Sequence, residues 1–331
     1  MGRGYRAYVH QDHGSYHIIS RVAGGGFLFN GGDKEYFVNL MFKLAKGYFV
    51  DIISYTVMSN HFHILLSNRY EDSLIASKEE LIGKYKEAFG KDAEHPEGSY
   101  IKNTFEIDYD EDGGIERLRR RLGSVSRFVQ DLKQRFSKWY NKEYKRTGYL
   151  WGNRFKGITM SKGEAELICS AYIDLNSVRA GIVKKPEDYR WSSIGLRIRN
   201  RRKANQLLKS IIIVKEKVKT QKDSKGKIIQ KKERTEEEVL FPVYKEFIYD
   251  SGKVKREGTA RISDEDSFYN RLGLGDSLKY RYRNISEGIA FGNYKLISKL
   301  QEKLGRKFIK PRKVIENKEE DFYSTRKLKP I

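Results

Sequence analysis

Residues 48–66 constrain the fold most, because they have the pattern of two strands joined by a tight turn. Tyr48 to Met58 is rich in β-branched and aromatic residues, and His61 to Leu66 is mostly apolar. Between them stand Ser59-Asn60, residue types that favour turns. The sequence therefore predicts a β-hairpin. Since side chains alternate faces along a strand, His61 and His63 should share one face and Phe62 the other.

The rest of the first 200 residues alternates predicted strands and helices. The predicted elements are a strand over 15–23, a helix from Asp33 (its N-cap) to Lys46, a long basic helix over 117–144, short strands at 148–151 and 154–160, and a helix over 162–176. This order predicts an α+β fold, an antiparallel sheet with helices packed on one face. Residues 1–205 are expected to form one domain with a polar insertion at 68–116. Residues 206–331 are expected to form a basic linker and C-terminal extension that binds DNA.

The charge balance indicates a polyanionic partner. The 331 residues include 66 Lys and Arg against 44 Asp and Glu, a net charge of +22. Aromatic residues make up 13% of the chain, and bases stack on such side chains while cations contact phosphates. Nucleic acid, single-stranded or with exposed bases, is therefore favoured over an anionic membrane surface.

Cysteine usage and hydropathy limit the other possibilities. Cys169 is the only cysteine, which excludes an intrachain disulfide or a thiolate metal cluster. Its apolar surroundings predict a buried thiol. No apolar run has the length of a signal peptide or a membrane span, so the expectation is a cytoplasmic protein without a membrane partner.

The histidine pair and a tyrosine suggest a site for phosphate chemistry. Two imidazoles on one strand face can share a divalent metal, although such pairs also occur as ordinary polar residues of half-exposed strands. In the predicted helix 162–176, Tyr172 and Asn176 are four residues apart and so share a face. A metal beside a helical tyrosine is an arrangement suited to attack on a phosphodiester.

Two other metal patterns are weaker. Asp108, Asp110 and Asp112 resemble the opening of a calcium loop, but Arg119 stands where the closing Glu is required, which favours an acidic surface loop. His10, His13 and His17 have a helical spacing in a segment with turn and strand character, and they are not expected to form a metal cluster.

Three further stretches carry a family resemblance. Residues 171–183, from Ala171-Tyr172 to Ile182-Val183, and residues 186–193 resemble a signature of the REP-associated tyrosine transposases. These belong to the HUH single-strand DNA transposases, whose His-hydrophobic-His motif is matched by His61-Phe62-His63. Residues 150–156 are similar to the strand before the family's nucleophile helix. Ser177 departs from the family, which usually carries proline there. Together these stretches span about residues 10–195.

The resemblance implies a ferredoxin-like or RRM-like domain that cleaves and rejoins single-stranded DNA beside a hairpin. By position, Tyr172 would be the nucleophile that forms a 5′-phosphotyrosine, and His61, His63 and Asn176 would hold Mg²⁺ or Mn²⁺. The basic side chains predicted to contact DNA are Arg154, Lys156, Arg179, Arg120 and Arg121. The choice between monomer and homodimer stays open.

Two alternatives remain at this stage. A replication-initiator or relaxase-type nickase would use the same His-hydrophobic-His site. A non-catalytic module that holds a hairpin or a single strand on the same sheet is the alternative from outside the enzymes, although binding alone would not require all four proposed site residues.

Overall fold

A computed structural model of the chain describes residues 14–89, 113–222, 228–253, 290–304, 309–315 and 322–327. The strands are β1 Ser15–Arg21, β2 Val50–Val57, β3 His61–Asn68, β4 Lys156–Met160, β5 Ile212–Lys222, β6 Ile228–Glu238, β7 Ala290–Asn293, β8 Ile309–Ile315 and β9 Phe322–Lys327. The helices are α1 Gly31–Gly47, α2 Tyr70–Ile75, α3 Lys78–Phe89, α4 Gly114–Leu122, α5 Val125–Glu143, α6 Glu164–Asp174, α7 Asn176–Arg179, α8 Ser193–Arg199, α9 Arg201–Leu207, α10 Phe241–Lys253 and α11 Tyr294–Leu304. Short 3₁₀ turns lie at Ala23–Gly25 and Pro186–Asp188.

The main sheet has the strand order β2-β3-β1-β4-β7-β9-β8, and β5 pairs with β6 as a separate hairpin. The predicted hairpin is confirmed, since β2 and β3 are antiparallel and Val57 pairs with Phe62 across the turn. β1 pairs antiparallel with both β3 and β4, which makes it the centre of the first four strands. The α+β class is confirmed. The sheet is mixed rather than purely antiparallel, because β7 runs parallel to β4.

Helices cover both faces of this sheet, whereas the sequence predicted one covered face. On one face, Phe62 and Ile64 pack in a core with Phe37 of α1 and Phe136 of α5. On the other, Leu65 packs in a second core with side chains of α6 and α10. Residues 62–68 of β3 are buried throughout, so their outward positions also need a covering layer.

Local capping explains where the helices begin and end. Asn30, not Asp33, is the N-cap of α1. Its side chain accepts a hydrogen bond from the Asp33 backbone N–H, and the Asp33 carboxylate accepts one from the Asn30 backbone N–H. The single basic helix predicted over 117–144 is two helices, because α4 ends at Gly123 and the Ser124 side chain caps α5. The strand predicted at 148–151 is reduced to one bridge between Val22 and Trp151.

The predicted insertion and extension both contribute to the cores. Within 68–116, helix α3 buries Leu81, Tyr85 and Phe89 in the first core. Beyond residue 205, the second core includes Ile211, Ile213, Tyr244, Phe247, Ile248 and Phe291. A separate domain beginning at residue 206 stays a prediction. These contacts argue against an extension that does not pack on the rest of the chain.

Several sequence predictions concern residues outside the described ranges. They are the acidic segment 108–112, His10 and His13. Among the described residues, none of the helices has the length and apolar character required to cross a bilayer.

Candidate active site

Strand register places four side chains at one end of the sheet face that α6 covers. Arg21 pairs with His61, and Ile19 pairs with His63 on one side and with Lys156 on the other. Cross-strand partners point to the same face, so Arg21, Lys156 and both histidines share it. Arg21 and Lys156 are exposed, while His63 is buried.

Helix α6 and its continuation α7 present a narrow stripe to this end of the sheet. From Ala165 to Arg179 every residue is buried except Tyr172, Asn176 and Arg179, which are half-buried. Leu175, between the two helices, keeps a right-handed helical backbone, and its N–H bonds to the carbonyl of Ala171. The turn therefore continues, and positions i, i+4 and i+7 stay in line.

The predicted nucleophile and the predicted ligands lie in one cluster. The ring centroid of Tyr172 is 5.6 Å from that of His63, and the two histidine rings of β3 are 5.1 Å apart. The Asn176 side chain hydrogen-bonds to His61. The guanidinium carbon of Arg179 lies 5.6 Å from the centre of the Tyr172 ring. The tertiary structure thus brings together Tyr172, His61, His63, Asn176 and Arg179.

His17 belongs to the same cluster, a placement that the sequence prediction missed. It is fully buried on β1, and its Nε2 is 2.9 Å from Nδ1 of His63. Its ring stacks on His63 at 5.1 Å and meets Tyr172 edge-on at 5.8 Å. Because this contact occupies Nδ1 of His63, the ring nitrogen that could reach a ligand is Nε2. Alternation along β1 was the available signal, since His17, Ile19 and Arg21 share a face.

Burial keeps both β3 histidines neutral near pH 7. Burial, and after it the positive charge of Arg21, lower the pKa of His61 to about 4. The pKa of His63 lies well below its ordinary value, mainly through burial and then through His17 and His61. Neutral imidazole is the form that ligates metals.

The two histidines of β3 could hold a divalent metal ion only together with the side-chain amide of Asn176. Among the described residues, no group of three His, Cys, Asp or Glu side chains is arranged to hold a metal. Two neutral imidazoles with the hydrogen-bonded Asn176 supply two nitrogens and one amide oxygen, which leaves coordination positions for a substrate. The metal stays a prediction.

The other basic residues predicted to contact DNA differ in exposure and in their position relative to the cluster. Arg154 is exposed just before β4, near the cluster, and Arg120 is exposed on α4, which packs in the core of the opposite face. Arg121 requires correction. It is buried, its guanidinium bonds to Asp131 at 2.5 Å, and Tyr48 donates a hydrogen bond to the same carboxylate. Arg121 therefore neutralises a core charge and is not presented to a ligand.

Buried carboxylates hold both ends of α6 in place. At its start, Glu166 accepts hydrogen bonds from the Ser15 hydroxyl and from the backbone N–H of Gly163. At its end, Asp174 accepts hydrogen bonds from Ser193 Oγ at 2.6 Å, Ile194 N at 3.1 Å and the Tyr244 hydroxyl at 2.7 Å. Burial raises the pKa of Asp174 to about 6. Tyr172 thus stands on a helix fixed to β1 at one end and to α10 at the other.

Comparisons with known proteins add little to this geometry. No protein-family model matches the chain, and neither does any curated protein. Among solved structures, the chain is similar to a REP-associated tyrosine transposase bound to a REP hairpin. The two are 13% identical, the match covers 61% of this chain and 87% of that one, and the TM-score is 0.39. A likeness of this extent carries no weight for function.

Proposed function

We propose that the protein is a metal-dependent single-strand DNA endonuclease and strand transferase in which Tyr172 is the nucleophile. The observation that carries this proposal is the clustering of Tyr172, His61, His63 and Asn176, which come from a hairpin strand and a helix more than 100 residues apart in sequence. A tyrosine packed beside neutral imidazoles and exposed cations is an arrangement that a structural tyrosine does not require.

The proposed step is an in-line displacement at phosphorus. The Tyr172 oxygen forms a bond to the phosphorus and loses its proton, while the bond to the 3′-oxygen breaks and that oxygen takes up a proton. The product is a 5′-phosphotyrosine, and attack by another 3′-hydroxyl reverses the step without ATP. Arg179, against the phenol ring, and Arg21, beside His61, are placed to offset negative charge. When bound to His61, His63 and Asn176, Mg²⁺ or Mn²⁺ would supply Lewis acidity toward a non-bridging oxygen.

The substrate class follows from charge and from the sequence resemblance. A net charge of +22 favours a nucleic acid, and the resemblance to REP-associated transposases implies a single strand that carries a hairpin. The same geometry would serve a replication-initiator or relaxase-type nickase. Short palindromes flanking the gene would favour the transposase.

The test is covalent capture of DNA. An oligonucleotide that contains a hairpin and carries a label at its 3′ end should give a labelled protein band on a denaturing gel with Mg²⁺ or Mn²⁺, and no band with chelator. Tyr172→Phe should abolish the band while DNA binding persists.

Tyr189→Phe is the matched control. The Tyr189 hydroxyl is buried and donates to the backbone carbonyl of Val57, so its loss should leave adduct formation intact. An adduct that still forms in Tyr172→Phe would move the nucleophile elsewhere. Tight binding of the hairpin by the unaltered protein without any adduct would favour the non-catalytic module.

A further inference from the structure

Two surface loops are fixed to each other beside the candidate site. Residues 22–30 connect β1 to α1, and residues 144–155 connect α5 to β4. The backbone N–H of Ala23 bonds to the carbonyl of Leu150 at 2.9 Å, and that of Gly152 bonds to the carbonyl of Arg21 at 3.1 Å. Val22 bonds through its N–H to the carbonyl of Asn60, the residue before His61. Both loops therefore adjoin the end of the sheet where His61 and Arg21 lie.

Each loop carries one aromatic side chain that is more than four-fifths exposed to solvent. Phe27 is 82% exposed and Tyr149 is 93% exposed. Their chain neighbours pack inward, since Phe29 and Leu150 are buried in the first core. The backbone is thus fixed by buried neighbours while the two rings project outward. A single exposed aromatic residue needs no explanation, but two on adjoining loops at one site form a pattern.

The chain segment around Tyr149 is strongly basic. From residue 142 to residue 156 the chain carries five basic residues against one acidic residue, Glu143, and all six are exposed. The basic residues are Lys142, Lys145, Arg146, Arg154 and Lys156. Residues 22–30 contain no charged side chain, and Arg21 immediately before them is exposed. Aromatic rings among cations are the arrangement that binds single-stranded nucleic acid.

We propose that Phe27 and Tyr149, together with Arg146, Arg154 and Lys156, form a platform for the unpaired DNA strand that leads away from the scissile phosphate. Bases stack on the two rings, and the cations contact the phosphates between them. A duplex cannot bind in this way, because its base faces are already stacked. The platform rests on the proposed function for its place beside the cleaved bond, and it deepens that function by assigning the groups that hold the single strand.

The experiment compares two ligands on the full-length chain by fluorescence anisotropy. One is a hairpin with a single-stranded tail, and the other is the same hairpin with a blunt end. Phe27→Ala and Tyr149→Ala should each weaken binding of the tailed hairpin about tenfold or more, and they should leave the blunt hairpin within about twofold. Tyr149→Phe, which keeps the ring, should bind like the unaltered protein.

Ile75→Ala is the matched control, since Ile75 is 87% exposed on α2 and lies outside both loops. It should change neither affinity. A second readout uses the unaltered protein, in which 2-aminopurine placed in the tail should be quenched on binding through stacking. The platform is overturned if both alanine variants bind the tailed hairpin within twofold of the unaltered protein, if the blunt hairpin is weakened equally, or if the 2-aminopurine signal does not change.

Failure of the platform can be told apart from failure of the proposed function. If the unaltered protein forms the Tyr172 adduct while Phe27→Ala and Tyr149→Ala bind the tailed hairpin as tightly as it does, the platform fails and the nuclease proposal stands. If the unaltered protein binds the tail through these rings but never forms an adduct, the platform stands and the nuclease proposal fails.

Discussion

Tyr244→Phe should show how strongly α10 is tied to the nucleophile helix. The Tyr244 hydroxyl donates to Asp174 Oδ2 at 2.7 Å, and both side chains are buried. The substitution keeps the ring and its packing, so the expected loss comes from the carboxylate oxygen left without its donor. Asp174 Oδ1 retains Ser193 and Ile194 as donors. We therefore expect the free energy of unfolding to fall by about 1–3 kcal/mol, the cost of a buried acceptor that loses a partner.

Urea denaturation at pH 7, followed by circular dichroism, measures this change, and an unchanged m-value would show that the transition remains comparable. Tyr249→Phe on the same helix is the control. The Tyr249 hydroxyl donates to Glu187 at 2.8 Å, and Glu187 also has an ion pair with Lys245, so the loss should be below about 1 kcal/mol. If the free energy of unfolding fell equally in the two variants, the claim that the Tyr244 hydrogen bond stabilises the packing of α10 on α6 would be refuted.

Three further predictions concern stability. Burial raises the pKa of Asp174 from 3.8 to about 6, so the folded state holds this proton more tightly than the unfolded chain does. The stability that this group contributes is therefore lost as the pH rises from about 4 to about 6. The loss corresponds to about 3 kcal/mol, so Asp174→Asn should remove that part of the pH dependence in urea titrations at pH 4 and pH 7. Arg121→Met, which leaves Asp131 buried without its cation, should cost about 3–5 kcal/mol, and Arg120→Met on the same helix should cost almost nothing in the same assay. Truncation after residue 205 removes several side chains of the second core, each of which contributes about 1.5–3 kcal/mol when buried. We therefore expect the truncated chain to lose cooperative thermal unfolding. A sharp unfolding transition in the truncated chain would show that residues 1–205 fold without the extension.

Local patterns in the sequence predicted the elements that carry the candidate site residues. The β-branched and aromatic runs on either side of Ser59-Asn60 became β2 and β3, and alternation placed His61 and His63 on one face. Helical spacing placed Tyr172 and Asn176 in line. These features depend only on the backbone geometry of a few consecutive residues, so they can be predicted from the local sequence.

The tertiary structure decided which of these elements meet and which charges stay in solvent. Register across β1 brought His17 and Arg21 to the histidine pair, and such pairing over 40 or more residues leaves no local signature. The sequence does not distinguish Arg120 from Arg121, since both belong to one run of basic residues. On α4, however, Arg120 is exposed, whereas Arg121 is buried and forms an ion pair with Asp131. The placement of α10 against α6 likewise depends on long-range packing. By itself the sequence determined the local geometry of the candidate nucleophile and ligands, whereas burial and partners were set by contacts between segments far apart in the chain.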